Sequence, residues 1–161
     1  MSSYTTRPPR PGDGRGKSYE HVTRDEFERL RDGGRLLEWA EVHGELYGTP
    51  REAVERLLAE GSSVLLEIDV QGAKQVLANE PSALSIFLAP PDWPTLEARL
   101  RARGTEDEDK LRKRLSTARR ELDEAGRFGH HVINDQLEQA VEAVDRILEQ
   151  ASEPDGPPKT R

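Results

Sequence analysis

The stretch SVLLEID, residues 63–69, is an apolar run that ends in two acids, Glu67 and Asp69. Its length and apolar continuity predict a buried strand of a parallel sheet. Gly72 follows, and the spacing of Val76 and Leu77 predicts a helix behind it. LSIFLAPP, residues 84–91, predicts a second buried strand, closed by its prolines. A strand, a helix and a strand in this order define an α/β fold with a parallel sheet.

The neighbouring segments extend the pattern in both directions. Upstream, residues 1–22 are polar with little periodicity. Thr23 and Glu26 form a capping box, Phe27 and Leu30 supply one apolar face, and Gly33 or Gly34 ends that helix. LLEWAEV, residues 36–42, alternates as a strand does, and HGELYG is expected to be a turn leading out of it. Thr49, Pro50 and Glu52 read as the cap, first residue and capping-box partner of a helix running to Gly61. Downstream, residues 94–103 predict a basic helix and residues 106–125 a long charged one. HHVIN, residues 130–134, predicts a third strand, and Asp135 the cap of a last helix ending near Ala151. The tail SEPDGPPKTR has no apolar content and is expected to be disordered.

Composition narrows the function. The chain has 161 residues, 34% of them hydrophobic and 34% charged, with a net charge of −7. That balance argues against a general nucleic-acid binder. There is no cysteine, which removes disulfide and thiolate metal chemistry and fits a reducing, cytoplasmic setting. No run approaches membrane-spanning length and no signal-peptide core is seen. His21, His43, His130 and His131 lack metal-ligand spacing, and surface or satisfied-core roles suit them better.

PGDGRGKS, residues 11–18, looks at first like a phosphate-binding loop. The position that needs the leading glycine holds Pro11, which has no N–H to offer a phosphate. No apolar strand precedes it and no helix opens directly behind it, so the cradle reading fails. An exposed turn rich in glycine and charge, or a wall of a substrate site, remains.

Taken together, the motifs resemble those of the guanylate kinase family. The matching pieces are TTRPPRPGDGRGKSY at 5–19, LLEWAEVHGELYGT at 36–49, VLLEIDVQGA at 64–73 and IFLAPP at 86–91. LEARLRARGTEDED at 96–109, RKRLSTARREL at 112–122 and HVIND at 131–135 continue the series in order. The resemblance covers about residues 2–150, and several motifs in the right order are far more specific than any one.

The resemblance implies a parallel-sheet nucleoside monophosphate kinase fold with a GMP-binding subdomain and a lid, truncated at the N-terminus. The guanylate-kinase-like domain would be residues 1–151. Its GMP-binding part lies at about 3–60, its core sheet at about 63–91 and 130–151, and its lid at about 99–114; residues 152–161 form the tail. By resemblance Arg7, Arg10, Tyr19 and Tyr47 bind the GMP phosphate. Planar guanidinium forks suit a dianionic phosphate, and Pro8, Pro9 and Pro11 stiffen the segment that carries two of them. Glu38 sits where the family places the carboxylate that accepts from guanine N1–H and the 2-amino group. Ser3 and Thr49 match its hydroxyl positions. Glu67 stands where the family usually has Asp, and Asp13 where it usually has Glu; each swap keeps charge and changes reach by one methylene. Such a site should reject AMP.

Asp69 ends a predicted parallel strand, where ligands bind in open α/β sheets. By resemblance it lies near the phosphates, with Gly72 behind it, and organises magnesium through water. Arg99, Arg103 and Arg114 match the lid arginines that stabilise the migrating phosphoryl group. Asn134 matches a family position near them, and the acid the family often has near Gly129 is missing. On charge pattern alone the lid would read as a salt-bridged helical surface.

The implied reaction is transfer of the terminal phosphate of ATP to GMP, with Mg2+ accompanying ATP. GMP and ATP are the expected partners, nucleic acid and membrane are not, and the resemblance leaves room for a homodimer. The family's first strand, phosphate loop and helix have no counterpart in the residues read here. The 161 residues alone are therefore expected to be poorly stable and to show at most trace activity. A non-catalytic module that binds GMP or a protein is the alternative reading.

Overall fold

The computed structural model describes residues 1–9, 19–42, 44–102 and 108–152. The chain divides into two units, Met1–Ala83 and a second beginning at Leu84.

The first unit is built on a four-stranded mixed sheet of order β2-β1-β4-β3. Strand β1 is Ser3–Thr5, β2 Tyr19–His21, β3 Leu36–Val42 and β4 Glu45–Pro50. Strands β1 and β2 run parallel, with Ser3 opposite Tyr19. Strand β4 is antiparallel to both β1 and β3, pairing Thr5 with Tyr47 and Glu38 with Thr49. Helices α1 (Arg24–Asp32), α2 (Arg51–Ala59) and α3 (Val70–Asn79) complete the unit.

Side chains opposite one another in a sheet share a face, so the register sorts the unit into two surfaces. Tyr4, Gly48, Trp39 and Leu46 belong to the face that α1 covers. There Phe27 and Leu46 are wholly buried with Leu36, and Tyr4, Val22, Leu30 and Trp39 pack around them. Gly48 is required in this layer: a Cβ there would stand 2.9 Å from Leu36 Cδ1 and 3.0 Å from Phe27 Cζ. Ser3, Tyr19, Tyr47, Thr49 and Glu38 fall on the other face.

A β-bulge between Leu36 and Glu38 makes this sorting work. Two residues apart in a regular strand would share a face, but the extra residue turns Leu36 toward the α1 core and leaves Glu38 on the opposite side. Helix α1 is closed as its sequence predicts. Thr23 accepts from the Glu26 amide and Glu26 accepts from the Thr23 amide. Gly33 caps its end, and Gly34 follows with φ +67°, from which the Arg35 amide reaches back to the Leu30 carbonyl.

The second unit holds a two-stranded parallel sheet, β5 (Ile86–Ala89) beside β6 (His130–Ile133), with Phe87 opposite His131. Helix α6 (Leu137–Ser152) packs against β6, and helices α4 (Trp93–Ala102) and α5 (Glu108–Asp123) pack against one another. Phe87 and Val132 are buried in its core, and Phe128 meets Phe87 edge-on at 5.2 Å.

Several sequence expectations are corrected. Residues 63–69 form no strand. The run is apolar enough, but a strand exists only by pairing, and no ladder partner lies beside it among the described residues. Leu65 is 81% exposed there. HGELYG is not a turn alone: Glu45–Pro50 is β4, because Leu46, Gly48 and Thr49 all bury against the sheet's neighbours. Helix α2 is not capped by Thr49 and Glu52. Its N-cap is Pro50 with no side-chain cap bond; Thr49 donates to Glu38 and Glu52 accepts from Arg35. Helix α6 opens at Leu137, two residues after Asp135. The turn at 11–18 and the tail from 153 lie outside the described residues, and no described helix is long and apolar enough to cross a membrane.

Candidate functional site

Glu38 is the centre of the first unit's site. It is only 4% exposed, and Thr49, its partner across the hairpin, is 1% exposed. The Thr49 hydroxyl donates to Glu38 Oε1 at 2.6 Å. Burial pushes the Glu38 carboxyl above the usual carboxylate range; the Thr49 hydrogen bond opposes this and the nearby charge of Asp69 adds to it.

Asp69 owes its place to helix α3. As the N-cap it accepts from the Gly72 amide through Oδ1 at 2.9 Å, and Gln71 Nε2 donates to Oδ2 at 3.0 Å. Gly72 lies between the two acids. A Cβ on it would overlap the Glu38 carboxylate, with Glu38 Cδ at 3.1 Å and Asp69 Oδ1 at 3.5 Å. The glycine is there to let a carboxylate rest against the first turn of the helix.

A second group lies toward β2. Tyr19 and Tyr47 meet edge-to-face with centroids 5.7 Å apart, and the Arg7 guanidinium sits 5.9 Å from the Tyr19 centroid. The Arg7 amide donates to Thr5 Oγ1 at 3.1 Å, and His21 Nδ1 lies 2.6 Å from the Arg7 carbonyl. These contacts fix the backbone that carries the guanidinium. Ser3, opposite Tyr19, lies on the same face as both groups.

The predicted residues thus fall into sets. Arg7, Tyr19 and Tyr47 come together, as do Glu38, Thr49, Asp69 and Gly72. Glu67 is exposed and makes none of the hydrogen bonds of that cluster. In the second unit, Arg99 donates to the main-chain oxygens of Asn134 at 2.5 Å and Asp135 at 2.9 Å. Asn134 therefore meets Arg99 through its backbone, and its own amide donates to Ala89 at 2.7 Å. Arg114 lies within α5, half-buried. Arg10, Asp13 and Arg103 lie outside the described residues. Sequence reasoning missed Gln71, and it gave His21 a satisfied role without its partner. A glutamine inside the first turn of a helix capped by Asp is a usable signal for the first; the second depends on a parallel pairing of β1 and β2 that has no local signature.

A carboxylate, a hydroxyl and a second acid lining one face, with an arginine and two phenols beside them, form an arrangement suited to a purine with a phosphate. Comparison with known proteins gives the family. The solved structure of guanylate kinase from Anaplasma phagocytophilum matches with a TM-score of 0.77 at 34% identity, covering 92% of this chain and 73% of that one. The fold is accordingly that of the nucleoside monophosphate kinases, an α/β class of phosphotransferases. The family model described as "Guanylate kinase" matches residues 1–151. The guanylate kinase of Oleidesulfovibrio alaskensis is 51% identical over 142 residues, 88% of this chain and 69% of that protein. That of Corynebacterium jeikeium is 47% identical over 148 residues, 91% of this chain and 79% of the relative. The chain belongs to the guanylate kinase family, and guanylate kinase is its function.

Proposed function

We propose that GMP is the phosphate acceptor and that the face of Ser3, Tyr19, Glu38, Tyr47 and Thr49 is where it binds. The observation that carries this reading is the buried Glu38 carboxylate, held by Thr49 and given room by Gly72. A carboxylate kept from water is costly unless donors reach it. Guanine brings two, N1–H and the 2-amino group, in the geometry a carboxylate accepts. Adenine lacks both donors on that edge and would leave the charge unpaired, which is the physical basis for rejecting AMP. Ser3 adds a hydroxyl on the same face. Arg7, Tyr19 and Tyr47, with Arg10, supply the donors for the GMP phosphate.

ATP is the phosphoryl donor in this reading, and Arg99, Arg103 and Arg114 stabilise charge on the migrating group. The guanidinium of Arg99 keeps further N–H donors beyond those given to Asn134 and Asp135. Magnesium accompanying ATP would neutralise charge on the phosphates. Among the described residues no three acidic or histidine side chains converge on one point. Both oxygens of Asp69 already accept hydrogen bonds. This donor set fits an ion that keeps most of its water, held by the ATP phosphates, with Asp69 meeting it through water.

The test is calorimetric titration of the purified chain with GMP and with AMP, beside an assay of GDP formed from ATP and GMP. Binding of GMP with no measurable binding of AMP supports the reading. Equal affinity for the two nucleotides removes Glu38 from base recognition.

A further inference from the structure

Strand β3 lies at an edge of its sheet, so alternate main-chain groups on its outer side have no strand to pair with. At Trp39 one side chain takes both of them. Gln75 Oε1 accepts from the Trp39 amide at 3.2 Å, and Gln75 Nε2 donates to the Trp39 carbonyl at 2.6 Å. The carboxamide acts as a one-residue substitute for a neighbouring strand. It also donates to the Gln71 carbonyl at 3.3 Å, one turn back along α3.

The position of this clamp is informative. Trp39 is the residue after Glu38. Gln75 is three residues after Gly72, so both lie on one face of α3. The helix therefore meets β3 twice along that face: Gly72 receives the Glu38 carboxylate, and Gln75 grips the next residue's backbone. Gly72 contributes no side chain, so on this face it cannot fix the height of the helix against the strand. Gln75 can, because its two hydrogen bonds are satisfied only at one register.

We infer that Gln75 is a positioning residue for guanine recognition: by bonding both main-chain groups of Trp39 it sets the Glu38 carboxylate against Gly72 and Asp69. This rests on the proposal that Glu38 reads the base. A shift of β3 along α3 would move the carboxylate off the helix's first turn while leaving the Arg7, Tyr19 and Tyr47 group untouched. Loss of Gln75 should therefore impair discrimination between bases more than attachment of the phosphate.

The experiment compares GMP with inosine monophosphate, which lacks the 2-amino group, by calorimetry on the full chain. Wild type, Gln75→Met and Gln75→Glu are measured, each with a thermal melt. Wild type should prefer GMP. Gln75→Met keeps the length of the side chain and loses both bonds to Trp39; its preference should shrink by roughly tenfold, because GMP loses two contacts to Glu38 where inosine monophosphate loses one. Gln75→Glu keeps only the acceptor for the Trp39 amide and should fall between the two. If Gln75→Met does not fold, Gln75→Glu carries the test alone. A lowered melting temperature with the preference intact would make Gln75 merely structural and overturn the inference. A wild type with no preference would instead defeat the reading of Glu38 itself.

Discussion

The Thr49 hydroxyl donates to the Glu38 carboxylate across the β3–β4 hairpin, 2.6 Å from Oε1, with both residues almost completely buried. That bond uses the hydroxyl's only proton, so the hydroxyl orients the acid. Thr49→Val, which keeps the shape and removes the donor, should raise the Glu38 pKa further and weaken GMP binding by roughly tenfold. Calorimetry at neutral pH reads the loss; unchanged affinity would show that Thr49 has no part in orienting the acid.

Glu38→Gln separates stability from recognition. An amide still accepts from Thr49 and removes a desolvated charge beside Asp69. The melting temperature of the ligand-free variant should rise by roughly 2–4 °C, while GMP binding is lost because the new NH2 group opposes the base's own donors. A variant that melts lower, or still selects GMP, contradicts this account.

The sign of the pH dependence follows from burial. The folded chain holds the Glu38 proton more tightly than the unfolded chain does. Its contribution therefore makes stability fall as pH rises from the ordinary glutamate range through the raised value. In the proposed site GMP requires the ionised form, so binding should release protons in that same window, and affinity should drop as pH is lowered through it. Titrations in buffers of different ionisation heat measure the protons directly, and Glu38→Gln should abolish the release.

Gly72→Ala puts helix propensity against steric fit. Alanine favours a helix interior by about 1 kcal/mol. Its methyl would overlap the Glu38 carboxylate. The carboxylate must move, so GMP affinity should fall at least about tenfold while the melting temperature changes little. Normal binding by this variant would show that the acid has room elsewhere.

Gly48→Ala tests the opposite face of the sheet, in β4. The added methyl would press on Leu36, Phe27 and the Glu38 carbonyl at 2.9, 3.0 and 3.2 Å. Destabilisation of about 1–3 kcal/mol is expected from overpacking, read by urea unfolding.

What the sequence made legible was local. The Thr23–Glu26 capping box is contained within four residues, and it forms as read. The family motifs singled out Glu38, Thr49 and Asp69, and the structure brings the three together. Thr49 misled as a helix cap because T-P-x-E is also a capping pattern, and only the hairpin register reveals that its hydroxyl is claimed by Glu38. Gly48 looked like turn punctuation, whereas its reason is the crowding of Phe27 and Leu36 from distant positions. Residues 63–69 carry a strand's composition, but pairing is a property of neighbours and is not written in the run itself. Gln75 had no signal at all: its partner is a backbone group 36 residues away.

The bulge in β3 makes the length of that strand a counted quantity. Leu36 and Glu38 serve opposite layers only because one residue is out of step between them. Removing the single residue Leu37 would make Leu36 and Glu38 neighbours in a regular strand, still on opposite faces and still opposite Pro50 and Thr49. Removing Ala40 instead would slip Glu41 and Val42 by one step against β4 and turn each to the other face. The bulge is therefore the one place in this strand where a residue can be lost without reversing the faces, and a scan of single-residue deletions across residues 36–42 would show it.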